Sequence, residues 1–419
     1  MRQVLLFYEY RFVMIRIILS AVIVLTLGYE ITLTLLAASR KKFPLPENVR
    51  DIYDAEEYAR WREYSLDKSR LSMIEKIFDS AVLLVLYSTT VFSDVYRLMP
   101  GGEYVKSFLL MTAYTALLTV LTVPFDYIRE MKIEEKYGFN RSTGKTFVSD
   151  QVKNFIVNAL LNAGLVLLAL FMYNTFGAGF FVFTYIVIAA FIIVFSMLST
   201  SFMKLYNKFT PLEDGELRDI LTKMFADAGY ELSDIFVMDA SARTTKVNAF
   251  CSGLGKFKKI VLYDNLVNNY STGEIAAVFA HELGHYRHRD TRKMTAYSLG
   301  MMAVVTLLIA VFVFVPEISY GYGFDEPSVV FAVIALMGVV MEPLMNLLAI
   351  PSNYMARKFE YRADREAVEN GYGSDMISAL KKLSRDNLSD LNPHPLIVAL
   401  EHNHPTLSQR IENVQNGRT

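Results

Sequence analysis

Cysteine is nearly absent: Cys251 stands alone in 419 residues, which excludes an intrachain disulfide and any zinc site built from thiolates. Histidine is scarce as well, with six in the chain, so a metal site has to be assembled from a few imidazoles and from carboxylates. Neither sign of charge is in excess. The 42 Lys and Arg against 43 Asp and Glu leave a formal net charge of −1, which excludes a global pull towards nucleic acid and means that basic residues must be read by position. Internal repeats and low-complexity tracts are also missing. What is abundant is apolar surface: a hydrophobic fraction of 53% and a positive mean hydropathy indicate a membrane protein rather than two or three soluble domains.

Crossing a bilayer takes roughly 20 predominantly apolar residues, and seven segments meet that length: about 14–38, 77–97, 107–127, 155–173, 178–201, 296–316 and 328–350. The first is too long for the core of a signal peptide and reads as a retained span, although Leu36-Ala37-Ala38-Ser39 resembles a cleavage site. Lys and Arg concentrate on 40–76, 129–153, 204–293 and the tail after Arg357, while the alternating connections carry few or none. By the positive-inside rule the N-terminus is expected outside or in the lumen and the C-terminus in the cytoplasm. Glu30, Asp79, Asp94, Glu342 and Asn346 fall at membrane depth and are expected to face an interior rather than lipid. Asn154, Asn158 and Asn162 recur every four residues and form one polar stripe, which suits either helix-to-helix hydrogen bonds or a water-filled cavity.

His281-Glu282-Leu283-Gly284-His285 carries the chemistry. On a helix, H-E-x-x-H sets two imidazoles one turn apart on one face, where both can bind a zinc ion. Glu282 then lies beside the metal and can take a proton from a water that the ion has acidified. Ser271 and Glu274 form a capping box for that helix, and Ile275, Ala276, Val278, Phe279 and Ala280 give it an apolar body. His288, in the basic run Tyr286-Arg287-His288-Arg289, reads as a solvated residue.

The largest soluble piece is expected at about 205–295, as a small α+β unit leading into the zinc helix: a helix over 216–228 and strands over 235–238 and 259–263. Val247-Asn248-Ala249-Phe250 reads as a further strand, with a turn at Gly253 and Gly255. Such a strand is either an edge on which a peptide can be added or an ordinary hairpin arm. After the seventh span, Glu360 and Asp364 lie four apart on a helix and share a face. A zinc held by two His needs a third protein ligand. Glu360 can be that ligand, with Asp364 orienting an imidazole, or both can belong to an ordinary charged helix. The expected division is 1–204 (five spans), 205–295 (metalloprotease unit), 296–350 (two spans) and 351–419 (a helical region completing the site).

Together with the seven spans, these motifs resemble the Ste24-type integral-membrane zinc metalloproteases, the type I CAAX prenyl proteases of the M48 peptidases. The resemblance covers nearly the whole chain. It includes Glu134-Glu135-Lys136-Tyr137-Gly138-Phe139-Asn140, Asn248-Ala249-Phe250, Phe359-Glu360-Tyr361-Arg362-Ala363-Asp364 and His404-Pro405-Thr406-Leu407-Ser408-Gln409-Arg410. It implies a mainly α polytopic fold in which a ring of seven transmembrane helices encloses a chamber, with the zinc near its cytoplasmic end. It implies one zinc ion per chain, on His281, His285 and Glu360, with Glu282 as general base and Asp364 as partner of the ligands. Asn248, Ala249 and Phe250 would hold substrate backbone, and His404 and Arg410 would stabilise the oxyanion or fix the substrate. His394 and His402 match less specific positions beside the site. The chain has His-Pro-Thr at 404–406, where many relatives have His-Pro-Pro.

The expected substrate is a peptide or a prenylated protein C-terminus, processed at the lipid bilayer, with no nucleic acid. The membrane would be the plasma membrane in a prokaryote and the endoplasmic reticulum in a eukaryote. Quality control of unprenylated membrane proteins would use the same chemistry. A non-catalytic membrane protein with a structural metal is the third reading, and Glu282 argues against it, because a structural site has no use for a carboxylate that does not bind the ion.

Overall fold

In hydrocarbon a backbone must satisfy its own N–H and C=O groups, so apolar runs of this length fold as helices. They do so in the computed structural model of the chain, which describes residues 2–40, 43–204, 206–252 and 257–416. The first half contains α1 (Arg2–Arg40), α2 (Ala55–Ser88), α3 (Val91–Leu98), α4 (Glu103–Ile128), α5 (Gly144–Phe176) and α6 (Phe180–Met203). A mixed segment follows: β1 (Phe209–Pro211), α7 (Glu216–Asp227), β2 (Glu231–Met238), β3 (Ala249–Ser252), β4 (Phe257–Tyr263), α8 (Asp264–Asn269) and α9 (Thr272–Arg287). The chain continues with α10 (Asp290–Phe314), α11 (Pro316–Tyr320), α12 (Val329–Ala335), α13 (Met341–Glu369), α14 (Gly373–Asp386), α15 (Pro395–Leu400) and α16 (Leu407–Asn416).

Among the described residues, five helical runs are long and apolar enough to cross a bilayer. One of them, 144–194, contains both α5 and part of α6, which fold against each other about Gly177 at φ 51°. The segment expected to cross at 77–97 is not one helix. α2 stops at Ser88, Thr89 is extended, and the chain restarts as α3 at Val91, in a stretch that Asp79, Asp94 and Arg97 make less apolar than the other runs. Asp94 also departs from the expectation that it faces an interior. Its side chain is 57% exposed and is paired with Arg97 (3.3 Å) and with the Thr90 hydroxyl (2.8 Å).

The other polar groups at membrane depth are partnered or line a cavity. Glu30 pairs with Lys76 and accepts from Asn346 Nδ2 at 3.3 Å. The asparagine stripe makes hydrogen bonds to other elements: Asn162 donates to Thr115 Oγ1 of α4 (3.4 Å), and Asn154 accepts from the Tyr206 hydroxyl (2.8 Å) just after α6. Asn158 and Asn162 also line a cavity of about 420 Å³ together with Asp79 and Glu342. Above it, Tyr87, Phe92, Tyr114, Tyr322 and Phe331 form an aromatic core against a π-helical turn, Leu336–Val340. Gly338 belongs in that turn because a Cβ there would lie 2.5 Å from the Tyr114 hydroxyl and 2.6 Å from that of Tyr87.

The mixed segment forms a four-stranded sheet in the order β1-β2-β4-β3, parallel between β2 and β4 and antiparallel elsewhere. Leu221 and Phe225 of α7, Ile260 and Leu262 of β4 and Phe279 of α9 meet in its core, so the sheet is the platform on which α9 rests. β3 lies two residues later than the sequence pattern indicates. The Val247 N–H is taken by Asn387 Oδ1 (3.2 Å) and the Lys246 carbonyl by Asn265 Nδ2 (3.2 Å), so side chains replace the ladder at these two residues, and the Asn248 carbonyl is the first to accept from β4, from Tyr263 N–H at 3.2 Å. The turn expected at Gly253 and Gly255 lies outside the described residues.

α9 begins at the capping box of Ser271 and Glu274 and packs directly on α13. A Cβ on Gly284 would lie 2.8 Å from Ala363 Cα and 3.0 Å from Glu366 Cβ, and a backbone atom cannot move aside as a side chain can. At an open helix position Gly→Ala stabilises by about 0.5–1 kcal/mol, whereas overpacking costs about 1–3 kcal/mol, so the sign of the change is diagnostic. Gly284→Ala is expected to lower the thermal unfolding midpoint of the purified protein in detergent. A raised midpoint would show that α9 and α13 are not in this contact.

Candidate metal centre

The α9 register puts His281 and His285 on the face turned to α13, with ring centroids 4.9 Å apart and planes perpendicular. Glu360 comes from the facing turn of α13 and is buried. Its Oε2 lies 3.5 Å from His281 Nε2 and its Oε1 3.3 Å from His285 Nε2. The three side chains each offer one ligand atom within 4.8 Å of the others.

Each imidazole is oriented from behind. His281 Nδ1 is 2.8 Å from Asp364 Oδ1, and His285 Nδ1 is 3.3 Å from Asp290 Oδ2. With Nδ1–H donated to a carboxylate, Nε2 keeps its lone pair, and both lone pairs are turned towards Glu360. This is the arrangement in which metal-binding histidines are commonly held. Without a metal, burial would lower the His285 pKa, but hydrogen bonds to Asp290 and Glu360 overcome it and raise the pKa to about 9, so a metal would have to displace the proton from Nε2.

Asp290 was missed by sequence reasoning. It follows the end of α9 with no motif to mark it, and it reaches His285 because Arg289 adopts the left-handed conformation, φ 55°, which folds the start of α10 back on the helix. Buried Asp290 is balanced by Arg362 Nη2 at 2.5 Å and Lys293 Nζ at 3.3 Å. The sole sequence signal was an acidic residue five positions after the second histidine.

The last helix closes the cluster. Arg410, with its side chain 13% exposed, donates through Nη2 and Nε to the two oxygens of Asp364 at 2.6 and 3.0 Å, and its Nη1 lies 3.4 Å from Glu360 Oε2. His404 Nδ1 approaches that same oxygen to 2.9 Å from an open position, its side chain 57% exposed. No donor meets Glu360 Oε2 in hydrogen-bond geometry, although the atom is buried. A buried carboxylate oxygen without a donor, facing two imidazole lone pairs, fits a divalent cation.

The other candidate residues are placed as follows. Glu282 is half-buried beside the histidine pair. Asn248 precedes β3, which carries Ala249 and Phe250 as the last strand of the sheet order, paired to β4 on one side. His394 caps α15, accepting from Leu396 N–H at 3.2 Å, and the His402 carbonyl accepts from Arg357 at 2.5 Å. His288 is exposed at the end of α9.

Comparison with known proteins agrees over nearly the whole length. Residues 34–208 match the family described as CAAX prenyl protease N-terminal, five membrane helices, and residues 211–418 match peptidase family M48. The probable CAAX prenyl protease 1 of Schizosaccharomyces pombe is 31% identical over 386 residues, 88% of this chain and 81% of its own. The CAAX prenyl protease 1 homolog of Arabidopsis thaliana is 30% identical over 407 residues, 92% of this chain and 94% of its own. The crystal structure of S. mikatae Ste24p superposes with a TM-score of 0.89 at 27% identity, covering 96% of this chain and 99% of that one.

Partners behind metal-binding histidines typically contribute about 10–100-fold in metal affinity. Asp290→Ala is therefore expected to weaken metal binding by that factor, measured by competition with a chromophoric chelator. Unchanged affinity would mean that the His285 to Asp290 contact has no part in holding the ligand.

Proposed function

The chain belongs to the M48 peptidases, within their CAAX prenyl protease group, and on that premise we propose that this integral-membrane metalloendopeptidase uses zinc to cut near the C-terminus of prenylated proteins. The observation that carries the reading is the convergence of His281 Nε2, His285 Nε2 and Glu360 within 4.8 Å, each imidazole held from behind by an aspartate. Two His and one carboxylate with an open fourth position are a donor set of catalytic zinc sites. The names of the relatives supply the substrate class.

His281, His285 and Glu360 would hold one zinc ion, with Asp364 and Asp290 behind the imidazoles. Bound there, zinc would supply Lewis acidity and lower the pKa of a water towards neutrality. Glu282 takes the proton from the attacking water and delivers it to the leaving amide nitrogen. Asn248, Ala249 and Phe250 lie on the outer strand of the sheet among the described residues, and the substrate backbone adds there as a further strand. His404 donates to the carbonyl oxygen as charge develops on it, a contribution of about 2.7–4 kcal/mol in comparable sites. Arg410 acts through Asp364 and Glu360, as a positioning residue.

The membrane part forms a ring of seven helices around a chamber, a reading supported by the polar cavity between α2, α4, α5 and α13. The positive connections put the N-terminus outside or in the lumen and the metal centre on the cytoplasmic side.

Purified protein is expected to contain one zinc per chain, and the His281→Ala/His285→Ala double variant none; undiminished zinc in the variant would remove these ligands. Glu282→Gln is expected to keep the zinc and lose turnover. Near-normal cleavage would mean that another group takes the proton. Mass spectrometry of a peptide supplied with and without its prenyl group tests the substrate class, and equal cleavage of both would favour a protease of unprenylated membrane proteins instead.

A further inference from the structure

A sheet edge can take up a peptide only as far as its outward N–H and C=O groups are available, so the groups along β3 decide how much chain can be added there. In an antiparallel pair, successive residues turn these groups alternately towards the partner strand and away from it. The Asn248 carbonyl accepts from Tyr263 N–H at 3.2 Å, and Ala249 stands opposite Leu262. Asn248 and Phe250 therefore face β4, and the main-chain groups of Val247 and Ala249 face outward.

At Val247 both outward groups are occupied by one side chain. Asn387 Oδ1 accepts from the Val247 N–H at 3.2 Å, and Asn387 Nδ2 donates to the Val247 carbonyl at 3.4 Å. A carboxamide carries the donor and the acceptor of a peptide unit, so Asn387 stands where the next residue of an added strand would lie. The Ala249 N–H is held by Asn248 Oδ1 at 2.8 Å. Among the described residues the edge thus begins at the Ala249 carbonyl and meets a wall at Val247.

That wall is fixed relative to α9 and its two histidines. Asn387 caps the C-terminus of α14, and Leu388 after it is left-handed, φ 46°, a conformation uncommon for a bulky side chain. Leu388 is held there by burial with Trp61, Tyr64 and Phe139. α14 is in turn bound to the start of α9. Ser378 Oγ and Lys382 Nζ donate to the two oxygens of Glu274 at 2.6 and 2.9 Å, and the Tyr270 hydroxyl donates to Asp386 at 2.7 Å.

We propose that Asn387 is a specificity-determining residue, which closes the peptide edge of β3 and limits how much substrate can lie beyond the scissile bond on that side. The inference rests on the strand addition proposed above. Antiparallel addition, the commoner pairing in sheets, lays the C-terminal end of the substrate towards Val247, so the segment that Asn387 limits is the released C-terminal tail. A short tail ends before the carboxamide, and a longer one has to leave the edge there.

Full-length protein in detergent can be assayed on one farnesylated peptide whose tail after the scissile bond is extended one residue at a time. In the wild type kcat/KM is expected to fall by about tenfold, through KM, at the length where the tail reaches Asn387. A profile flat in tail length would overturn the proposal without recourse to any variant. Asn387→Ala opens the edge and is expected to raise the ratio of kcat/KM for long over short tails by about tenfold, with metal content unchanged. Asn387→Leu, which keeps the bulk without the hydrogen bonds, should retain the wild-type ratio. Equal losses at every length in both variants would reduce Asn387 to a structural role. Asn265 Nδ2 holds the Thr244 and Lys246 carbonyls at 2.8 and 3.2 Å on the inward side of the same segment, so Asn265→Ala should lower stability and leave the ratio alone; a ratio raised as in Asn387→Ala would assign the effect to loosening of the segment and sink the stop. N-methylation of successive peptide amides separates this inference from the one beneath it, because strand addition predicts a loss at every second amide. Without that alternation, strand addition at β3 falls and the stop with it, whereas alternation with an unchanged ratio in Asn387→Ala removes the stop alone.

Discussion

The structure depends on keeping two buried carboxylates, Glu360 and Asp364, pressed against α9. Unpaired, such groups would be costly, and removing one partner of a buried pair typically destabilises by about 3–5 kcal/mol. Here they are surrounded from three separate parts of the chain: the imidazoles of α9 and of His404, and the guanidinium of Arg410 on α16, which lies against both carboxylates. Gly284 sets the distance at which this is possible, because any side chain there would meet the α13 backbone. The chemistry and the packing are therefore one constraint. The glycine that allows the helices to touch lies between the two histidines that need Glu360 within reach.

That constraint reaches into the membrane. Between α9 and the stretch of α13 that carries Glu360, the chain runs through α10, α11 and α12 and back, so the two halves of the site sit at the ends of a membrane excursion. Asp290 marks the start of that excursion and is bound to both halves, to His285 of α9 and to Arg362 of α13. Within the bilayer, Glu30 is paired with Lys76, while Asp79 and Glu342 are open to a cavity. Hydrocarbon leaves few other options for them.

What could be read from sequence follows the range of the physics involved. The capping box at Ser271 and Glu274, the helix at α7 and the strands β2 and β4 are set by local patterns, and each lies within a few residues of where the periodicity puts it. Apolar length marked the membrane runs, but the break at Thr89 was invisible to it, because a short polar interruption and a continuous helix have similar mean hydropathy. The start of β3 was displaced by Asn265 and Asn387, contacts made across long stretches of chain. In the metal centre, spacing alone gathered His281, Glu282 and His285. Asp290 needed a left-handed residue at Arg289, a conformation uncommon for a side chain of this size, and no periodicity announces it. Arg410 and His404 entered through family resemblance, and their contacts to Asp364 and Glu360 depend on α16 folding back across α13.

α13 is the element in which these strands of argument meet. It leaves the π-helical turn at Leu336–Val340 in the aromatic core of the membrane, passes the polar cavity at Glu342, and ends with Glu360 and Asp364 in the metal centre. A helix fixes the separation of points along its length, since its rise per residue is constant. Carried on α13, the separation between the aromatic core of the membrane, the cavity at Glu342 and the metal centre is a property of the fold, so Glu360 and Asp364 are held in place against α9 by the same helix that is anchored in the membrane.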